Sequence, residues 1–194
     1  MSATTRTMEK PRLSLKAQTL ATISAIVGAV VVPQVFHLLG AVSGLGTALG
    51  ETFLPMHLPI LLVGLLAGPY AGAIAGLLGP LASFAISGMP GVTMLPLMMI
   101  ELCIYGLAAG LLRNVKMPTI GKVVTAQIAG RAVRAVVILL SVYVFGSESI
   151  SAAVIWTSIG AGIFGLVLQW ALLPLIVYRV ENLNRRESRP SGSN

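Results

Sequence analysis

The stretch VVTAQIAGRAVRAVVILLSVYVF, residues 123–145, decides the fold class: it is apolar over more than the ~20 residues a helix needs to cross a bilayer, yet it carries Arg131 and Arg134. A neighbouring apolar run, 94–112, carries Glu101 in the same way. Charges at membrane depth are costly unless they face a protein interior or a water-filled cavity and find partners there. These three residues are therefore the first candidates for function.

The rest of the chain fits that reading. Of its 194 residues 56% are hydrophobic and 10% charged, a balance foreign to soluble domains. Apolar runs occupy 17–36, 56–67, 70–86, 94–112, 123–145 and 152–178. They predict an all-α integral membrane protein with six transmembrane helices in one domain, 17–178. A basic head, 1–16, precedes it and a basic, Ser-rich tail, 179–194, follows. The Gly68-Pro69 pair allows either a helix break or a kink, so the second and third runs read as two spans or one. Charge decides between them. With six spans and a cytoplasmic N-terminus, Arg6, Lys10, Arg12 and Lys16, then Arg113, Lys116 and Lys122, then Arg179, Arg185, Arg186 and Arg189 all lie inside, and the C-terminus is cytoplasmic too. Five spans would put the basic 113–122 loop outside. The net charge of +7 is thus explained by topology in a lipid bilayer, without nucleic acid.

The outer connection His37–Pro55 is long and glycine-rich, which suggests a flexible lid over an outward-facing cavity. Small residues recur every fourth position at Ala17, Ala21, Ala25 and Ala29 and at Gly68, Gly72 and Gly76, a spacing that permits close helix approach within the chain or between subunits.

Helical periodicity places Met94, Met98, Glu101 and Tyr105 on one face of the fourth span, and Gln127, Arg131, Arg134 and Ser141 on one face of the fifth. At 1.5 Å per residue from their cytoplasmic ends, Glu101, Arg131 and Arg134 lie at depths of roughly 16, 14 and 18 Å, so all three are able to meet. They form either a buried ion pair locking two helices or part of a binding site. One glutamate does not neutralise two arginines, and the surplus positive charge suits a carboxylate from a substrate or from Glu51. Gln169 in the sixth span offers further hydrogen bonds, and Trp156 sits near the outer end of that span.

His37 and His57 show no metal-ligand spacing, so no metal site is expected. The sequence contains no P-loop, HExxH or GxSxG pattern and no Asp. Neither an ATPase motor nor a known catalytic set is present, and no cofactor is expected. Cys103 is the single cysteine and forms no internal disulfide.

The segment Glu51-Thr-Phe-Leu-Pro-Met-His-Leu-Pro-Ile60, with Leu-Ala-Gly-Pro at 66–69, Ser-Gly-Met-Pro at 87–90 and Leu-Met-Met-Ile-Glu-Leu-Cys-Ile-Tyr-Gly at 97–106, resembles the substrate-binding S components of energy-coupling factor (ECF) transporters. The resemblance spans about 17–178. It implies a six-helix subunit of the prokaryotic plasma membrane that binds a water-soluble vitamin or related micronutrient from outside. It also implies docking on a transmembrane coupling protein that carries two ATP-binding-cassette ATPases. By this resemblance Glu101, Arg131, Arg134, Tyr105, Met98, Gln127, Glu51, His57, Trp156 and Gln169 are candidate substrate contacts. The family's Ala-x-x-x-Ala docking surface matches Ala17, Ala21 and Ala25. Met-Ser-Ala-Thr at the start departs from the histidine motif of the nickel and cobalt branch. Two competing readings are an intramembrane enzyme using Glu101 and a histidine, placed apart by depth, and a membrane assembly or scaffold protein.

Overall fold

The computed structural model describes residues 13–187, and among them it is all-helical. In chain order the helices are α1 (Leu15–Ser43), α2 (Ala48–Phe53), α3 (His57–Ala67), α4 (Pro69–Ser87), α5 (Leu95–Leu111), α6 (Thr119–Leu139), α7 (Val154–Ala161) and α8 (Ile163–Glu187). Six helical segments are long and apolar enough to span a membrane: 15–43, 48–67, 69–87, 95–114, 119–144 and 163–183. The six-span reading stands.

Gly68-Pro69 is a break, not a kink. Gly68 takes φ 113°, and Pro69, which lacks an amide proton, occupies the first turn of α4, where none is needed. The start of α3 and the end of α4 consequently return to the same end of the bundle, where His57 and Ser83 line one cavity.

Three boundaries differ from the sequence reading. The first helix does not end near residue 36 but continues to Ser43, where Gly44 in a left-handed conformation caps it. Much of the expected lid, His37–Pro55, is therefore helical: the end of α1 plus α2. The sixth apolar run is not one helix, because Gly162 separates α7 from α8, and only α8 spans. At its other end α8 runs past residue 178 to Glu187, since Arg, Glu, Asn and Leu sustain a helix beyond the apolar stretch. Hydropathy reports burial in lipid, not where hydrogen bonding stops. Arg6, Lys10, Arg12 and Arg189 lie outside the described residues.

The core lies between α1, α3, α4 and α5, with Ile60, Leu61, Leu65, Ala75, Leu102, Tyr105 and Ala109 almost wholly buried. Helices in lipid gain little from hydrophobic exclusion and depend on close packing. The glycine stripe supplies it here. A Cβ at Gly72 would collide with the Gly106 backbone, and one at Gly106 with Gly72, so α4 and α5 touch backbone to backbone.

The alanine stripe of α1 also faces inward. Ala25 and Ala29 are buried in the core and Ala21 packs at its edge. Of the two alternatives left open by the spacing, Ala25 takes packing within the chain, while Ala17 and Ala21 are only half-buried: small side chains every fourth residue mark a close approach without saying on which side it occurs. The outward face of α1 carries Leu20, Ile23, Val27 and Val31, all at least half exposed.

Candidate functional site

At the bundle end opposite the basic 113–122 loop, a cavity of about 470 Å³ opens between seven helices and the 88–94 connection. It falls within the range of about 300–1,000 Å³ typical of small-molecule sites. The second half of α1 contributes Pro33 and His37, and α2 with its exit turn contributes Gly50, Glu51, Leu54 and Met56. His57 opens α3 and Ser83 lies near the end of α4. The connection 88–94 adds Met89, Pro90 and Met94, while α5 supplies Met98 and Glu101, and α6 supplies Arg134. One side of α7, at Val154, Thr157, Ser158 and Ala161, completes the wall.

The floor is a charged, hydrogen-bonded cluster. Arg134 Nη1 donates to Glu101 Oε2 at 2.6 Å, and Tyr105 OH donates to Glu101 Oε1 at 2.9 Å. Glu101 and Tyr105 are at most 1% exposed. The glutamate, with both oxygens satisfied, fixes the guanidinium in place. Arg134 retains donors beyond that single bond, and its Nε is buried without a partner. Room for this arrangement comes from Gly130 on α6: a Cβ there would strike the Tyr105 ring.

Arg131 stands behind the cavity, not on it. It borders a crevice of about 20 Å³ with Arg134, Ile155 and Ser158, and its buried Nε has no partner. It remains within electrostatic reach of His57, Glu101 and Tyr105. Two guanidinium groups thus share one deep carboxylate. Glu51 does not supply the second: it lies at the exposed mouth and accepts a hydrogen bond at 3.3 Å from Thr47, which precedes α2.

The histidine placement differs from the reading by depth. His57 is not at the outer surface; it is 3% exposed, and its ring centroid lies 5.3 Å from that of Tyr105 at an interplanar angle of 58°. It shares the cavity with Glu101. Its Nδ1 is buried and makes no hydrogen bond.

Gln127 and Gln169 come together away from the cavity lining. Gln127 Nε2 donates to Gln169 Oε1 at 2.9 Å, Trp170 Nε1 donates to Gln127 Oε1 at 2.7 Å, and Gln169 Nε2 donates to the Leu54 carbonyl at 3.3 Å. Leu54, with φ 48°, is the left-handed residue that ends α2 and lines the cavity. The glutamines therefore support the wall from behind. Trp156 is 75% exposed on the outer side of α7, away from the cavity lining formed by Thr157 and Ser158.

Sequence reasoning missed Met56, Ser83 and the α7 lining. Met56 and the 87–90 segment stood inside the motifs already quoted, but nothing in their spacing points to a cavity. Among the described residues no group of three or more His, Cys, Asp or Glu is placed to hold a metal ion.

A family model for the substrate-specific component of ECF transporters matches residues 18–177. Neither a curated protein nor a solved structure matches the chain.

Proposed function

Because this chain belongs to the substrate-specific components of ECF transporters, we propose that it captures a water-soluble vitamin or related micronutrient with an anionic or strongly polar group, outside the cell, in the cavity floored by Arg134. Family membership itself makes it a multi-pass plasma-membrane protein that binds substrate and is not an enzyme, with ATP hydrolysis in partner subunits. The partners in this reading are a transmembrane coupling protein and two ATP-binding-cassette ATPases.

The observation that carries the reading is the Arg134–Glu101 pair at the base of a 470 Å³ cavity, beside Arg131, so that two guanidinium groups share one deep carboxylate. A guanidinium already aligned by one carboxylate is preorganised for a second anion. Orientation supports it. The basic residues Arg113, Lys116 and Lys122 lie at the end opposite the cavity, so the positive-inside rule turns the cavity outward and both termini inward. Docking on the coupling protein uses the outward face of α1 around Leu20, Ser24 and Val27, since Ala25 is committed to the core.

Thermal unfolding of the purified chain with a panel of water-soluble vitamins tests the proposal. A ligand that binds only the folded state raises its apparent stability, by about 2.7 kcal/mol at a hundredfold excess over Kd. At least one anionic vitamin should raise the melting temperature. A folded protein that no member of the panel stabilises would reject vitamin capture.

A further inference from the structure

α7 lines the cavity without being packed into the bundle. None of its residues is buried. Thr157 and Ser158 turn their hydroxyls back onto their own helix, donating to the Val154 carbonyl at 3.4 Å and the Ile155 carbonyl at 3.1 Å. Among the described residues no side-chain hydrogen bond joins α7 to another helix. Its seam with α6 is also unfilled: a crevice of about 20 Å³ lies between Arg131, Ala135 and Ile138 of α6 and Ile155 and Ile159 of α7. Arg134 and Ser158 border both the crevice and the cavity, so the two spaces adjoin. An unfilled space forfeits the dispersion contacts that hold packed elements together.

The α1–α2 segment, whose glycines suggest a lid, is the opposite case. The Phe36 and Phe53 rings pack with centroids 5.4 Å apart, and the Gly46 amide donates to the Gly40 carbonyl at 3.0 Å. A Cβ on Gly165 of α8 would meet the Phe53 backbone at 2.6 Å, and Gln169 holds the Leu54 carbonyl. Local stability follows buried contacts and protected hydrogen bonds, and elements that move are drawn from its low end. By that measure α2 is a fixed wall of the cavity and α7 a movable one.

The joint between α7 and α8 supplies the pivot. A Cβ on Gly162 would meet Leu54 Cδ1 at 2.7 Å, whereas one on Gly160 would meet nothing within 4 Å. Gly162 is thus held against the exit of α2. Gly160, two residues earlier, has room to change conformation at the low steric cost peculiar to glycine.

We infer that α7 is the gate of the cavity, swinging about Gly160 and widening the α6–α7 seam to admit cargo beside Arg134, while the α1–α2 segment stays in place. The inference rests on the cavity being the capture site and is independent of which anion is captured.

Two cargo-free measurements on the purified full chain in lipid nanodiscs test it, both in a Cys103→Ala background. Nitroxide labels on Trp156→Cys of α7 and Val136→Cys of α6, both exposed positions, should give a broad or two-peaked distance distribution by double electron–electron resonance. Labels on Ala48→Cys of α2 and Val136→Cys should give one narrow peak. Access is read from Met98→Cys, on the cavity wall, by its rate of reaction with fluorescein maleimide, an anionic probe. Adding Gly160→Ala should slow that reaction about fivefold with the melting temperature unchanged, since alanine favours a helical pivot over glycine by about that factor. An α7 pair as narrow as the α2 pair, or a broader distribution for the α2 pair, would overturn the inference. So would a reaction rate that Gly160→Ala leaves unchanged. Because no cargo is present, the two readings fail separately: a rigid α7 leaves capture intact, whereas a vitamin panel without a hit rejects capture while the distances still report the movement of α7.

Discussion

Arg134 and Glu101 are joined by one bond of 2.6 Å between Nη1 and Oε2, and that bond ties α6 to α5 at the floor of the cavity. It has a structural consequence and a functional one, and the two separate by mutation. Removing one partner of a buried ion pair leaves an uncompensated charge and costs about 3–5 kcal/mol, whereas replacing both with apolar residues is often neutral. Arg134→Met should melt well below the native protein, and Glu101→Met/Arg134→Met should recover most of the loss. Thermal unfolding of the two variants in one detergent checks this; a double variant as unstable as the single one contradicts it.

Arg131 lies behind the cavity and Arg134 lines it. Arg131→Met should therefore lower the affinity for an anionic ligand less than Arg134→Met does, because it removes field but no contact. Titration of the same ligand against both variants decides the order, and a larger loss from Arg131→Met would reassign the anchor.

Gly130 leaves the space that the Tyr105 ring fills. Gly130→Ala should push that ring away from Glu101 and destabilise the protein by about 1–3 kcal/mol, the usual cost of overpacking. Gly160, which has open space at its Cβ position, is the control. Gly160→Ala should leave the melting temperature close to native.

Ala25 is 6% exposed and Val27 is 54% exposed, on opposite sides of α1. Ala25→Trp should disrupt the core and lower the melting temperature sharply. Val27→Trp should not, and it should retain ligand binding by the isolated chain. A stable Ala25→Trp variant would return the alanine stripe to the surface.

Gln169 holds the Leu54 carbonyl and Gln127 together. Gln169→Leu strands the Gln127 amide and should cost about 1–3 kcal/mol. It should also weaken ligand binding, since the Leu54 turn forms part of the cavity wall. Native affinity in a folded Gln169→Leu variant would detach the network from the site.

The sequence made the membrane class, the six spans and the Glu101–arginine meeting legible, because each rests on local patterns: apolar run length, basic loops and helical offsets. What it hid depends on which way a face turns. The alanine and glycine stripes share one spacing, yet both pack inward, and no periodicity distinguishes a core side from a docking side. The depth of His57 was not legible either, because the α2–α3 turn that tucks its ring against Tyr105 on α5 is a tertiary feature. Gln127 and Gln169, candidate substrate contacts by the family resemblance, hydrogen-bond to each other, a pairing across 42 residues that no local pattern announces. The split at Gly162 escaped notice because the sequence is apolar on both sides of it.

The central claim is that the isolated chain binds an anionic vitamin or related micronutrient at Arg134, without coupling protein or ATPases. The most direct measurement is an equilibrium titration of that ligand against the native chain and Glu101→Met/Arg134→Met, in the absence of the partner subunits. Saturable binding of one ligand per native chain, lost in a double variant that still melts cooperatively, is the predicted result. Equal affinity in the two proteins would contradict it.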